Sequence, residues 1–293
     1  MHARFIIHHP RQLVYAELPK CASTTMHKLF LEVSGIHADV EPHYGIWREP
    51  FAEARRAAGL EAMEIPDDAL DAFVRRHRGY HFFTVVRDPY GRCLSGYGQQ
   101  IRRYAKRFRR LAFARAKLRQ MLSGRRAEDA GSPHRIVTET LTRTISFGEF
   151  VEGLRRHGTS FDKHFDLQSN VIRLGQVPYA TLVRMESLTE GLRAVFGDAG
   201  DLASIPACNV TRSGAAVHRL SPQLRRTIHA LYEADFRSLG YARDGRSAPG
   251  RLDAAAVRRI MRRRLHDRHT QERSTWQARS RSRARSSIST ATR

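Results

Sequence analysis

Residues 13–25, LVYAELPKCASTT, decide the fold of this chain, because an apolar run passes directly into a stretch rich in anion-binding groups. The run Leu13–Leu18 predicts a buried strand. A helix is predicted next by apolar residues spaced three and four apart, which are Met26, Leu29, Phe30 and Val33. The first N–H groups of a helix lack intrahelical partners and carry about half a positive charge. The junction Pro19–Thr25 therefore predicts a phosphate or sulfate site.

The side chains of this junction suit the same anion. Short hydroxyl donors that are also plausible N-caps come from Ser23, Thr24 and Thr25. Lys20 adds a mobile ammonium group, whose point charge can follow negative charge developing on a leaving group. The stretch has no glycine and its lysine precedes the loop, so it departs from the G-x-x-x-x-G-K-[ST] pattern. No carboxylate there suggests magnesium. A capped helix without a ligand is the alternative on this stretch alone.

A second strand end carries similar groups. Phe82–Val86 is typical of a buried parallel strand, and Arg87 stands at its carboxyl end. Ligands of open α/β sheets bind outside the carboxyl ends of strands, so Arg87 and Lys20 are expected to line one crevice. Pro89 fits the first turn of a following helix, on which Ser95 can return to the phosphate held by the arginine. The alternative, an Arg–Asp pair capping a helix, leaves the similarity of both strand ends unexplained.

Together the two motifs resemble those of sulfotransferases that use 3′-phosphoadenosine 5′-phosphosulfate (PAPS), most of all the carbohydrate (family 2) branch. The motifs are P-K-x-x-S-T-T at residues 19–25 and V-R-D-P-Y-x-R-x-x-S-x-Y at residues 86–97. Weaker similarity continues in segments at residues 163–169, 182–188 and 232–241, the first of them containing His-x-x-x-Gln. The resemblance spans roughly residues 5–242.

The resemblance implies an enzyme that transfers a sulfuryl group from PAPS to a carbohydrate hydroxyl by in-line attack, without a metal. It assigns the 5′-phosphosulfate to the loop formed by Pro19, Lys20, Cys21, Ala22, Ser23, Thr24 and Thr25. It assigns the 3′-phosphate to Arg87 and Ser95. Lys20 would stabilise the leaving phosphate. The implied fold is a three-layer, P-loop-like α/β fold with a central parallel sheet and helices on both faces.

The residue that takes the proton from the acceptor hydroxyl stays open. Histidine suits this role because it titrates near neutrality, and the chain has 15 histidines. Three of them lie close to predicted parts of the site: His43, His81 and His164. Glu41 is a carboxylate alternative. Arg212, in a late loop, is a further candidate for contact with a cofactor phosphate, and a plain surface turn is the alternative there.

The charge of the chain is strongly basic and unevenly distributed. Against 29 Asp and Glu there are 51 Lys and Arg, a formal net charge of +22. Residues 101–127 contain eleven Lys and Arg and no acidic residue, interleaved with apolar residues at helical spacing. Such a helix would attract an anionic polymer or an anionic membrane surface. A solvated helix face is the alternative.

The composition changes again near the end of the chain. Residues 251–293 hold thirteen arginines against three acidic residues. A basic helix is expected over residues 254–268 and a disordered Arg/Ser-rich segment over residues 279–287. We therefore predict a sulfotransferase domain at 1–245 and a basic tail at 246–293, which tethers the enzyme electrostatically to a membrane or polyanion.

Compartment and partners follow from simpler features. No run of 18 apolar residues and no charged-then-apolar leader is present, so neither a transmembrane anchor nor a signal peptide is predicted. The cysteines are odd in number, and two of the three, Cys21 and Cys93, lie in the cofactor motifs. A reducing cytoplasm is therefore expected, with the protein peripheral at the inner membrane face and acting on a saccharide or glycolipid.

Two other classes of function stay open at this point. A nucleotide-dependent P-loop kinase would need magnesium carboxylates, which we cannot place in the sequence. A non-catalytic polyanion-binding or nucleic-acid-binding protein is supported only by the net charge.

Overall fold

Across the residues that the structure describes, a six-stranded sheet forms the centre of the fold. The computed structural model describes residues 2–36, 46, 52–103, 146–160, 162–197, 217–244, 251–252 and 255–259. The strands are β1 (His2–His8), β2 (Leu13–Ala16), β3 (Leu60–Pro66), β4 (His81–Val86), β5 (Thr181–Arg184) and β6 (Arg251–Leu252). The α-helices are α1 (Ser23–Val33), α2 (Ala52–Ala57), α3 (Leu70–Arg76), α4 (Pro89–Gly96), α5 (Phe147–His157), α6 (Gln168–Val171), α7 (Leu188–Phe196), α8 (Pro222–Leu231) and α9 (Glu233–Leu239).

The sheet is mixed, with the strand order β3-β1-β2-β4-β5-β6. The central strands β2, β4 and β5 are parallel, and β1, β3 and β6 join them in antiparallel pairs. Only a short 3-10 turn at His9–Arg11 connects β1 to β2, so these two form a hairpin, whereas a parallel connection needs a dozen or more residues. The predicted α/β fold is confirmed, and its parallel order is confined to the three central strands.

Helices cover both faces of the sheet, as two neighbouring residues of β4 show. Phe82 contacts Phe73 of α3, with ring centroids 6.3 Å apart. Phe83 contacts Phe30 of α1 at 6.3 Å and Phe196 of α7 at 5.7 Å. Because successive side chains of a strand point to opposite faces, α3 lies on one side of the sheet and α1 and α7 lie on the other. The three-layer arrangement is the one expected from the sequence.

The predicted boundary between residues 245 and 246 needs correction, because part of the expected tail packs on the domain. Arg251 and Leu252 pair with Val183 and Leu182 of β5 and add an edge strand to the sheet. Residues 255–259 are helical, and Val257 is fully buried in the hydrophobic core. The high arginine content favours a separate segment, but Leu252 packs against the core and Val257 is buried in it, so this part of the segment belongs to the domain.

Several predicted features lie outside the described residues. They are the loop with Glu41 and His43, the Arg212 loop, the basic segment beyond residue 103 and the chain from residue 260 onward. The backbone of residues 101–103 ends the π-helical turn Tyr97–Arg103, which follows α4. Among the helices that the structure describes, none is both long enough and apolar enough to cross a membrane.

Candidate cofactor site at the ends of two parallel strands

The site is located by the parallel pairing of β2 and β4. Tyr15 pairs with Phe83 and Ala16 with Thr84, so the two strands end at the same edge of the sheet. Thr84 also donates a hydrogen bond from Oγ1 to the Ala16 carbonyl at 2.7 Å. Since both strands run in one direction, the loops that follow them leave the sheet side by side.

The loop after β2 turns through two left-handed residues. Lys20 has a φ of 70° and Ala22 a φ of 57°, in a region that residues with a Cβ atom occupy at a cost of about 1–2 kcal/mol. Ala22 is the N-cap of α1, no side chain caps the helix, and its first turn has no acidic residue. The N-cap role expected for Ser23, Thr24 and Thr25 is therefore wrong, since these residues form the first turn itself. The terminus has the character of an anion site.

The loop has an open side and a buried side. Lys20, Ala22, Ser23 and Thr24 are partly exposed, whereas Thr25 and Cys21 are buried. The Cys21 N–H donates to the Leu18 carbonyl at 3.3 Å, and its thiol donates to Oε1 of Gln168 at 3.6 Å. Burial raises the pKa of the Cys21 thiol to about 12, so it stays protonated. The Cys21 thiol thus lies under the loop, and the assignment of Cys21 to the 5′-phosphosulfate stays a prediction.

Arg87, directly after β4, meets the first loop. Its guanidinium donates from Nη1 to the Lys20 carbonyl at 3.2 Å, and the residue is 6% exposed. The structure thus brings Lys20 and Arg87 into one crevice, as expected from the sequence. The backbone of Arg87 is also held, because its N–H donates to Oε1 of Gln168 at 3.0 Å and its carbonyl accepts from Nε2 at 2.7 Å.

The start of α4 fixes the direction in which the chain leaves Arg87. Asp88 is the N-cap and accepts from the Gly91 N–H at 2.9 Å, and Pro89 occupies the first turn as predicted. Burial raises the pKa of Asp88 to about 6. Its other oxygen, Oδ1, is buried without a hydrogen-bond partner. Ser95, buried near the end of α4, lies on the helix that Arg87 precedes.

Arg92 looks like Arg87 in the sequence but has a different environment in the structure. It is 2% exposed and donates to three backbone carbonyls: to Pro19 from Nε at 3.2 Å, to Asp166 from Nη1 at 2.7 Å and to Lys163 from Nη2 at 2.8 Å. A guanidinium with five N–H donors is suited to this task. Arg92 therefore ties the loop after β2, through Pro19, to the segment that contains His164.

The sequence did not reveal what Gln168 and Asp235 do. Gln168 is fully buried and bonds to both the Arg87 backbone and the Cys21 thiol. Asp235, also fully buried, accepts from the backbone N–H groups of Gln168 at 2.7 Å and Ser169 at 3.0 Å. The signal available in the sequence was the family-like pattern of residues 163–169 and 232–241, which marked these residues without indicating a role.

The structure describes two of the three candidate histidines, His81 and His164, and places them in different parts of the fold. His81 begins β4, pairs in register with Leu13 at the start of β2, and bonds to Thr181 Oγ1 at 3.0 Å. It therefore lies at the opposite edge of the sheet from Arg87, about 20 Å away at the usual rise per residue, and is corrected as a catalytic candidate. His43 lies outside the described residues, as does Arg212.

His164 lies in the segment that Arg92 holds beside Pro19. Its ring Nδ1 is 2.7 Å from Oδ1 of Asp162, and its backbone N–H donates to the same oxygen at 2.8 Å. Burial tends to raise the pKa of Asp162, but these two hydrogen bonds outweigh it and lower the pKa. An ionised carboxylate can only accept, so Nδ1 is the donor in this hydrogen bond, and in a neutral ring Nε2 is then the acceptor.

A cleft next to Pro19 is lined by polar side chains. Its walls include Arg4, Glu17 and Lys163. Glu17 Oε2 lies 3.3 Å from Nε2 of His27 on α1. Burial lowers the pKa of Lys163, and the nearby Arg4 lowers it further. The cleft adjoins the loop after β2 at Pro19, and its side chains include both donors and acceptors of hydrogen bonds.

The chemistry of the described site is that of an anion receptor. Its groups are an uncapped helix terminus, a lysine, a buried arginine and hydroxyls. Within the described part of the chain, no group of three or more His, Cys, Asp or Glu side chains could hold a metal ion. That metal is not needed stays a prediction.

Comparison with known proteins gives the class of enzyme. A family model described as the sulfotransferase family matches residues 3–242. The chain belongs to the sulfotransferase family and is an enzyme that transfers sulfuryl groups. No match was found among curated proteins or among solved structures. Family membership decides among the three classes of function in favour of the sulfotransferase, which was the leading prediction from the sequence.

We expect Arg92→Met to destabilise the protein strongly. The substitution keeps most of the apolar volume but leaves the carbonyls of Pro19, Lys163 and Asp166 without their donor, at about 1–3 kcal/mol for each group. Urea unfolding followed by circular dichroism should show a free energy of unfolding lower by at least about 3 kcal/mol, or no folded protein.

Arg155→Met is the matched control, because Arg155 is exposed on α5 and its ion pair is with Glu152, three residues earlier on the same helix. Its unfolding curve should overlay that of the wild type. Equal stability of the two variants would contradict the structural role given to Arg92.

Proposed function

We propose that this sulfotransferase uses PAPS as its donor and a hydroxyl of a carbohydrate as its acceptor. The observation that carries the proposal is the contact between the two strand-end loops, in which the Arg87 guanidinium lies 3.2 Å from the Lys20 carbonyl. One crevice thereby offers cationic groups to both anionic ends of a single nucleotide.

The residues present fit such a group. The uncapped terminus of α1 and the partly exposed Lys20, Ser23 and Thr24 supply donors for the 5′-phosphosulfate. Arg87 supplies a charged planar fork for the 3′-phosphate, and Ser95 a hydroxyl from the following helix. The acid closest in sequence, Asp88, is engaged as the cap of α4, and burial disfavours its charged form. Glu186 is engaged as well, since its Oε1 accepts from the Asp88 N–H at 2.8 Å.

In this mechanism, Lys20 and the N–H groups of the first turn of α1 stabilise the charge that builds on the departing phosphate. When bound, PAPS supplies the sulfuryl group, which passes to the acceptor oxygen as the bond from sulfur to the phosphate oxygen breaks. Because these donors are fixed before the reaction, little reorganisation is needed when the charge develops. The Arg92 and Gln168 contacts keep the loops in place from behind.

We propose His164 as the general base. Nδ1 is committed to Asp162, so Nε2 can take the proton of the acceptor hydroxyl as the new bond to sulfur forms. Arg92 joins the backbone next to His164 to Pro19, which supports a position beside the loop of Lys20. His43 is the alternative base, in a loop outside the described residues.

The acceptor is proposed to bind in the cleft of Arg4, Glu17 and Lys163. This depression beside Pro19 has room for about one water molecule, so its charged groups can offer hydrogen bonds to the edge of a saccharide or glycolipid head group but do not enclose it. We further propose a cytoplasmic enzyme. Its net charge of +22 supports contact with an anionic polymer or membrane surface through segments 101–127 and 251–293.

Arg87→Ala should weaken binding of adenosine 3′,5′-bisphosphate by about 10–100-fold, the usual value of hydrogen bonds to a charged group. Binding of AMP, which lacks the 3′-phosphate, should change little. Calorimetry without magnesium measures both affinities. Arg78→Ala is the control, since it removes the same charge from an exposed residue ahead of β4. If ATP with magnesium binds the wild type better than the bisphosphate does, the proposed donor is wrong.

Lys20→Met should lower kcat for transfer of labelled sulfate from PAPS by about 10²–10³-fold, because one preorganised donor to the leaving group is lost. Affinity for the bisphosphate should fall much less than kcat. Lys28→Met removes the same charge from the body of α1 and should keep near-normal turnover. A Lys20→Met enzyme with normal kcat and a raised KM alone would assign Lys20 to binding only.

His164→Ala should remove the acidic limb of the pH profile of kcat/KM along with most of the activity. The wild-type rate falls in acid because a protonated imidazole cannot accept the hydroxyl proton. Burial raises the pKa of Asp88 to about 6, so Asp88 can also affect the acid side of the profile, and the comparison is made between variant and wild type. Asp162→Asn, which favours the other ring tautomer, should also lose activity. If His164→Ala keeps wild-type rates, the base is another residue.

A further inference from the structure

The side-chain amide of Gln168 extends the pairing of β4 beyond its last residue. Val86 pairs with Arg184 at the end of β5, and the next residue, Arg87, finds both of its backbone partners in one side chain. Its N–H donates to Oε1 at 3.0 Å and its carbonyl accepts from Nε2 at 2.7 Å. The backbone N–H and carbonyl of Arg87 are therefore both hydrogen-bonded, as those of a strand residue would be, although Arg87 lies outside the sheet.

The same amide reaches the other half of the site. The Cys21 thiol, under the loop of Lys20, donates to Oε1 at 3.6 Å. One fully buried side chain thus contacts the backbone at the 3′-phosphate arginine and the loop expected to hold the 5′-phosphosulfate. Arg87 N–H is only a donor and its carbonyl only an acceptor, so the orientation of the amide is fixed by its partners.

Gln168 is itself immobilised from α9. The Asp235 carboxylate accepts from the N–H groups of Gln168 and Ser169, and so caps α6, whose own N-cap residue makes no side-chain cap bond. Tyr232, one turn earlier, donates to the Phe165 carbonyl at 2.8 Å and holds the chain leading to α6. Asp235 and Gln168 are both fully buried, so the surrounding atoms restrict movement of both side chains.

We propose that Gln168, fixed by Asp235, is a positioning residue that aligns Arg87 for the 3′-phosphate and links this alignment to the loop of Lys20. The inference rests on the proposed use of PAPS. Gln168 does not touch the nucleotide; it acts by holding the backbone from which the Arg87 side chain projects. Only a group that donates and accepts at once can do so, which an ionised glutamate and a leucine cannot.

The test compares Gln168→Leu and Gln168→Glu in the full chain by calorimetry with adenosine 3′,5′-bisphosphate and AMP. Loss of two buried hydrogen bonds to Arg87 should weaken the bisphosphate by at least about tenfold in Gln168→Leu. AMP should be affected much less, because only the long contact with the Cys21 thiol is lost on that side. The matched controls are Gln176→Leu and Gln176→Glu, at an exposed position eight residues away, which should bind as the wild type does.

Gln168→Glu gives a readout that a purely structural role would not produce. An ionised glutamate turns an oxygen toward the Arg87 carbonyl, whereas a protonated one donates to it as the amide does. Burial raises the pKa of such a glutamate, to about 8–9 in documented cases. The affinity of Gln168→Glu for the bisphosphate, divided by that of the wild type at the same pH, should therefore be low at about pH 10 and recover as the pH falls to 5.5. Division by the wild-type value cancels the titration of the ligand and of the charged or titratable groups nearby, which are Cys21, Arg87, Asp88, Arg92, Glu186 and Asp235.

The outcomes separate this inference from the proposed function. If the wild type prefers the bisphosphate over AMP but Gln168→Leu leaves that preference unchanged, the inference fails alone. It also fails if both nucleotides weaken equally, or if the ratio for Gln168→Glu does not change with pH. If the wild type shows no preference for the bisphosphate, the proposed donor fails and this inference fails with it.

Discussion

Parallel pairing of β2 with β4 is the constraint on which the site depends. It places Ala16 beside Thr84, so that the loop of Lys20 and the start of α4 leave the sheet at one edge. Neither loop alone is specific, since uncapped helix starts and arginines near helices are common. Their contact, from the Arg87 guanidinium to the Lys20 carbonyl, places the two loops side by side, and this arrangement supports the proposed site for a nucleotide with two anionic ends.

Buried polar groups hold this edge together, and each has its partners. Arg92 donates to three carbonyls, Gln168 joins both loops, and Asp235 caps the helix that carries Gln168. Such groups cost several kcal/mol when unpaired in the protein interior, so the arrangement is stable only as a complete set. Asp88 Oδ1 is an exception, being buried and without a partner beside the site. The rigidity that results suits catalysis by donors fixed in advance.

Sequence predicts the parts of this site that are local. The two strand–loop–helix units follow from apolar periodicity, and their approach follows from the rule that parallel strands end at one edge. The rule also explains the error with His81, which is close to Arg87 along the chain but at the other end of the same strand. Position along a strand, rather than separation in sequence, decides which residues share an edge.

Sequence does not predict the parts that depend on distant partners. Arg87 and Arg92 belong to one motif, and only the carbonyls of Lys163 and Asp166 reveal that Arg92 faces inward. Gln168 is hydrogen-bonded to Arg87, which is 81 positions away in the sequence, and to Asp235, which is 67 positions away. The left-handed Ala22, which removes the expected hydroxyl cap, has no signal because most such positions hold glycine.

The most direct test of the account is a crystal structure of the protein with adenosine 3′,5′-bisphosphate. We expect the 5′-phosphate at the N-terminus of α1, within hydrogen-bond distance of Lys20, and the 3′-phosphate on the guanidinium of Arg87. A nucleotide bound with its two phosphates exchanged, or away from the shared edge of β2 and β4, would contradict it.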